Sequence, residues 1–219
     1  MHELLTKKLI RRIVFAILTT FIIAAILLAT LVHYFPIAKT DIAISKELQE
    51  NNSHPLYIIM RFVSLMGDPL IASAMIIVAA LFFIGIQYQR EALFFLLVPI
   101  ADFVGVIIKN IIQRPRPSEF LINIYTQVSG SSFPSGHVIH VVIFFGFLFT
   151  LMFIVKKIPY ALRWIIGIVS IFMIILISIS RIYLGAHWAS DVIGGYLVGF
   201  PLLLLLLLSY FRVTRPSQF

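Results

Sequence analysis

Long apolar stretches separated by short polar ones dominate the chain. The runs Ile13 to Val32, Leu70 to Gln87, Ala92 to Ile112, Val138 to Val155, Trp164 to Ser180 and Val192 to Phe211 each approach the roughly 20 residues that carry a helix across a bilayer, so the pattern predicts six spans. Lys7, Lys8, Arg11 and Arg12 precede the first run. That run exceeds the roughly 7 to 15 residues of a cleavable signal core and is read as a retained span. Pro201 is expected to kink the last helix, and the leucines from Leu202 to Leu208 are read as lipid-facing rather than as a heptad. Two shorter segments fall between the first two spans. Ile37, Ile44 and Leu48 recur at helical spacing among Lys39, Asp41, Lys46 and Glu47, as in an amphipathic helix lying on a surface. Leu56 to Met66 is interrupted by Arg61 and too short to cross. It is assigned to the interface, ahead of the break at Gly67-Asp68-Pro69.

Composition supports this picture. Of 219 residues, 61% are apolar and 12% charged, and the mean hydropathy is +1.05. A soluble domain is about half apolar and about a quarter charged. The expected fold is therefore all-α: a six-transmembrane-helix bundle with short amphipathic or interfacial helices in the first outer loop, forming one integral membrane domain over residues 1–219. With the amino terminus inside, the inner segments hold Lys7, Lys8, Arg11, Arg12, Arg90, Lys156, Lys157, Arg163, Arg212 and Arg215, against Glu3 and Glu91. The net charge of +8 then lies entirely on the cytoplasmic side, as the positive-inside rule requires, with both termini in the cytoplasm. Such basic loops report topology in a cell membrane, not a nucleic-acid partner.

Cysteine is absent, which removes disulfides and thiolate chemistry. The nine acidic residues never form D-x-D or D-D pairs, so a carboxylate-built two-metal centre lacks ligands. No metal, no cofactor and no obligate protein partner is expected.

Ionisable residues at membrane depth are costly and usually pair or serve a site. Here they form three clusters: Lys109 with Arg116-Pro117, then Pro134-Ser135-Gly136-His137, then Ser180-Arg181 followed by His187 and Asp191. In the six-span topology all three emerge on the extracytoplasmic side, where one pocket could hold them.

These motifs, K-x6-R-P, P-S-G-H and S-R-x5-H-x3-D, resemble the tripartite signature of the type 2 phosphatidic acid phosphatase superfamily, with every position filled in order. The resemblance spans Lys109 to Asp191 by motif and the rest by its six-span layout. Soluble acid phosphatases and haloperoxidases share the signature, and hydrophobicity selects the membrane branch, which hydrolyses lipid phosphates and pyrophosphates. The resemblance implies a phosphohistidine on His187, later hydrolysed by water, with His137 as general acid toward the leaving lipid oxygen. Among its small six-span members it points to phosphatidylglycerol phosphate slightly ahead of undecaprenyl pyrophosphate as substrate. A lipid phosphotransferase and a non-enzymatic lipid-binding or transport protein are the rival readings.

The residue types suit that chemistry. Phosphoryl transfer asks a protein mainly for positioning and charge, and Lys109, Arg116 and Arg181 supply three cations, the arginines with a bidentate fork. Ser135 stands where the helix of the fourth span should be capped, and Gly136 lets backbone amides approach an anion. His187 and Asp191, four apart, would share one face of a helical turn, so the carboxylate orients the ring.

Other polar residues have plainer readings. His33, His54 and His140 are expected to be interfacial, with His140 also near enough in sequence to support His137. Asp102, two turns before Lys109, should pair with that lysine or with another span. Arg114, Glu119, Asn123, Tyr125 and Gln127 have no fixed role, and Tyr183 and Trp188 are expected to be interfacial aromatics.

Overall fold

The computed structural model describes residues 2–214. Met1 and residues 215–219, including the Arg215 of the charge argument, lie outside the described residues. Nine helices run in order among them: α1 (His2–Tyr34), α2 (Lys39–Gln49), α3 (His54–Leu65), α4 (Pro69–Gly85), α5 (Gln89–Leu96), α6 (Val98–Ile112), α7 (Gly136–Ile154), α8 (Tyr160–Tyr183) and α9 (Ala189–Thr214). There is no strand among the described residues.

Five stretches are long and apolar enough to cross a membrane: Lys8–Tyr34, Gln89–Ile112, Gly136–Ile154, Tyr160–Tyr183 and Ala189–Val213. A sixth forms if α3 and α4, bent by 59° at Gly67-Asp68, are taken together. The third span is broken at Leu97, where Pro99 in the first turn of α6 removes a backbone donor.

The bundle is organised around α7. Val138, Ile139, Val141, Val142, Ile143 and Phe147 are wholly enclosed, against α6, α8 and α9. Gly195 and Gly199 face Val138 and Val142, with no free space for a β-carbon at Gly195, so the backbones of α7 and α9 approach closely. By contrast α1 exposes Phe15, Ile22, Ile26 and Leu27 to the surroundings and packs against α9, as in the contact of Phe21 with Phe200. The leucine run of α9 is only partly lipid-facing: Leu205 is exposed, whereas Leu202, Leu203, Leu206 and Leu207 pack on the core.

The first outer segment differs most from expectation. Helix α2 is amphipathic, but its buried positions are Asp41, Ser45 and Gln49, while Ile37 and Ile44 are 52% and 41% exposed. Asp41 and Gln49 face the protein because partners await them there, and Ser45 is buried between them with no partner for its hydroxyl among the described residues. Of the apolar side chains, Ile44 turns outward while Leu48 packs on the core. At the opposite end of the bundle Tyr210 donates to the buried Glu91 (2.7 Å) and Lys157 donates to the Ile86 carbonyl (2.9 Å), tying α9, α5, α4 and the α7–α8 turn together.

Candidate active site

Each polar cluster sits where a long helix starts or stops, because an apolar helix leaves unsatisfied backbone groups only at its ends. Helix α6 ends at Gln113, whose left-handed conformation (φ 51°) turns the chain into Arg114-Pro115-Arg116-Pro117. Ser135 occupies the N-cap position of α7, yet its hydroxyl makes no capping bond. After α8 a turn through Gly185 (φ 69°), packed on the Asn123 carbonyl, leads to His187 and then α9.

These three ends converge. Arg116 donates from Nη1 to the Ala186 carbonyl (2.6 Å), from Nε to the Gly130 carbonyl (3.0 Å) and from Nη2 to the Ser131 carbonyl (3.2 Å). Lys109 Nζ donates to the same Ser131 carbonyl at 3.0 Å. Arg116 Nη1 lies 3.3 Å from His187 Nε2, and the Ser135 amide donates to the Asp191 carbonyl at 3.0 Å. Gly136 borders the Lys109 side chain. All eight residues expected at the site thus gather at one end of the bundle, with Arg181 joining through the elbow described below.

His187 and Asp191 pair for a different reason from the one expected. His187 lies in the turn before α9, not on a helix, with Nδ1 3.5 Å from Asp191 Oδ2. Asp191 is in the first turn of α9, where Oδ2 accepts from the Trp188 amide (2.8 Å) in the manner of a capping box and from the Ser132 hydroxyl. Burial pushes the His187 ring down to about 3 from its ordinary 6.5, so the imidazole is neutral. Burial also lowers Arg116, against the pull of the Asp191 carboxylate.

The sequence reading missed Arg114. It is 1% exposed and bridges two carboxylates, donating to Asp191 Oδ1 at 2.6 Å and to Asp41 Oδ2 at 2.7 Å, with further bonds to the Ser190 hydroxyl and the Pro36 carbonyl. The signal was present as a stripe of Asp41, Ser45 and Gln49 at four-residue spacing. Gln49 holds both the amide and the carbonyl of Asn123, and also the Tyr183 carbonyl.

Three other expectations are corrected. Tyr183 and Trp188 are buried, not interfacial: Tyr183 stacks on Tyr125 and Trp188 Nε1 donates to the Pro115 carbonyl (3.3 Å). His140 is buried within α7 and pairs with Asp102 across helices at 2.9 Å. Asp102 thereby takes the second of its two expected partners, another span and not Lys109. His33 and His54 are exposed. Glu119 and Gln127 line an open cavity of about 530 Å³ beside Arg116, with Thr126 and Gly185.

The α3–α4 elbow was also unforeseen as part of the site. His137 Nε2 is 2.9 Å from Asp68 Oδ1, and Arg181 donates to the Ser64 hydroxyl. Several buried polar atoms here have no protein partner: Ser135 Oγ, Arg181 Nε and Ser131 Oγ. Such groups are rare in folded chains, and an anion with several acceptor oxygens would satisfy the donors among them.

Comparison with known proteins follows the same geography. Residues 90–215 match the model of the PAP2 superfamily. Phosphatidylglycerophosphatase B of Bacillus subtilis (strain 168) is 30% identical over 187 residues, covering 82% of this chain and 88% of that protein. An undecaprenyl-diphosphatase of Sulfolobus acidocaldarius is 33% identical over 103 residues, covering 46% of this chain and 45% of its own length. In fold, the chain is similar to the crystal structure of a transmembrane PAP2-type phosphatidylglycerolphosphate phosphatase from Bacillus subtilis, with a TM-score of 0.78, 24% identity, and coverage of 90% of this chain and 98% of that one. LpxE of Aquifex aeolicus matches at a TM-score of 0.58 with 18% identity, covering 74% of this chain and 93% of that one.

Proposed function

From the premise that this multi-pass membrane chain belongs to the PAP2 superfamily, we propose that it is a lipid phosphatase: it removes a terminal phosphate from a membrane lipid, with phosphatidylglycerol phosphate the favoured substrate. The observation that carries this reading is the convergence of a neutral, buried His187 with Arg116, while Ser135 and Arg181 hold unused hydrogen-bonding capacity close by.

In this reading Lys109, Arg116, Arg181, the Ser135 hydroxyl and the Gly136 backbone hold the phosphate oxygens, and spread the charge that develops on them. Nε2 of His187 attacks phosphorus, Asp191 steadies the ring from its Nδ1 side, and His137 protonates the departing lipid oxygen. Water then releases phosphate from the phosphohistidine. No metal takes part. The whole chain acts as one membrane domain, with the pocket on the extracytoplasmic side and both termini in the cytoplasm.

The archaeal relative favours a second substrate, a polyprenyl diphosphate, for which the same pocket would cleave the terminal phosphoanhydride. Release of inorganic phosphate from purified phosphatidylglycerol phosphate, undecaprenyl diphosphate and phosphatidic acid, comparing the intact protein with His187→Ala, tests both. Loss of turnover in the variant, with label from a rapid acid quench trapped on His187 of the intact protein, is expected. Full activity in His187→Ala, or abolition of wild-type activity by a chelator with recovery on adding magnesium, would refute the reading.

A further inference from the structure

We propose that Asp68, in the elbow between α3 and α4, is the positioning residue that holds His137 as a proton donor through its Nε2, leaving Nδ1 to serve the leaving lipid oxygen. The inference rests on the phosphohistidine reading above and extends it to a part of the chain that lies before the family match, which begins at residue 90.

The geometry is specific. Asp68 Oδ1 stands 2.9 Å from His137 Nε2, a charge-assisted hydrogen bond. Gly67 presses on the ring so closely that a β-carbon there would overlap it, which fixes the imidazole from a second direction. Ser64, one turn earlier, receives the Arg181 guanidinium. One bend in the chain thus holds both the acid and a phosphate-binding cation.

Electrostatics make the carboxylate necessary. His137 must carry a positive charge to act as an acid, yet burial opposes that charge first, and the cation Arg181 and the ring of His140 oppose it further. Asp68 is the anion in contact with it. The ring itself is enclosed, with 16% of its side chain exposed, whereas the Asp68 side chain is 44% exposed.

The proton balance follows from that arrangement. As the bond between His187 Nε2 and phosphorus forms and the bond from phosphorus to the lipid oxygen breaks, the Nδ1 proton of the His137 imidazolium passes to that oxygen. His137 is left neutral, with its Nε2 proton still on the bond to Asp68. In the second step a water oxygen bonds to phosphorus and the nitrogen–phosphorus bond breaks. The proton shed by the water returns to Nδ1, so the imidazolium is restored and Asp68 stays anionic throughout.

The test is leaving-group dependence. An alkyl lipid phosphate needs its leaving oxygen protonated, whereas 4-nitrophenyl phosphate leaves as a stable anion. Because general acid catalysis contributes about 100- to 10,000-fold, Asp68→Asn is expected to slow kcat on phosphatidylglycerol phosphate by about 100-fold or more. On 4-nitrophenyl phosphate the loss should be at least about tenfold smaller, since that contribution is not drawn on. Asp68→Glu should recover much of the lipid activity. Equal losses on both substrates in Asp68→Asn and Asp68→Glu alike, or no loss in Asp68→Asn, would overturn the assignment. Failure of the reading beneath it looks different: His187→Ala would then keep its activity, or the wild-type protein would cleave neither ester.

Discussion

Replacing Arg114 by Met removes the cation that bonds both Asp41 and Asp191; the side chains of Arg114, Asp41 and Asp191 are 0%, 4% and 0% exposed. Four hydrogen bonds go with it, and two buried carboxylates lose their counter-charge. Breaking a buried ion pair from one side costs about 3–5 kcal/mol, most of it the cost of stranding the remaining charge. For a chain of this size each kcal/mol moves the thermal midpoint by roughly 2–4 °C, so Arg114→Met should lower it by roughly 6–20 °C in detergent. Asp41→Asn is a contrasting perturbation, because it leaves Arg114 neutralised by Asp191. It should cost about 1.5–3 kcal/mol, the range of one hydrogen bond to a charged group. Combining the two should be less harmful than their sum, since an amide in place of the Asp41 carboxylate has no charge to strand. Thermal melting of the wild type, both single variants and the double variant in one detergent measures all of these terms. An Arg114→Met midpoint at or above that of Asp41→Asn, or strictly additive losses, would refute the buried-charge argument.

Three further outcomes are expected. Ser135→Ala should leave the thermal midpoint nearly unchanged, because its hydroxyl caps nothing, yet lower kcat/KM by about 10- to 100-fold through one lost bond to a charged phosphate; a stability loss without a kinetic one would contradict that role. His187 is neutral in the folded chain down to about pH 3 but protonates near 6.5 when unfolded, so the unfolded state binds the extra proton between those values. Stability should therefore fall as pH drops below about 6.5, with a shallower slope in His187→Gln, and identical slopes would argue against a buried neutral ring. The chain has no cysteine, so a single cysteine placed at Gln127 should react with an impermeant maleimide added outside intact cells, and labelling only after lysis would place the pocket on the inner side.

The three motifs were legible because polar residues stood out against apolar spans and fell at helix ends. What surrounds them was not. Asp41 looked like part of a solvent-facing stripe, since periodicity tells which residues share a face but not which face is buried, and next to lipid the usual apolar-inward assumption reverses. Arg114 and Arg116 are both followed by proline, and nothing in that repeat separates a buried structural guanidinium from one beside His187. The pairing of His187 with Asp191 was foreseen from a helical spacing that does not exist there: a turn and a helix cap bring them together instead. Asp68 and Asp102 each pair with a histidine on α7, 69 and 38 residues away, and spacing rules carry no information over such separations.

The glycine contacts between α7 and α9 reach beyond packing. His137 stands at the head of α7 and His187 just ahead of α9, so the gap between the two imidazoles is gauged by how near those two main chains come to each other. Gly195 sets that gap by bringing its own backbone against the Ser135 carbonyl and the stiff β-branched side chain of Val138, as the bond from the Ser135 amide to the Asp191 carbonyl does one turn away. Bulk introduced at this caliper would be felt less as a local clash than as a mis-sized opening between nucleophile and acid, in a position no one would pick from a list of chemically active side chains.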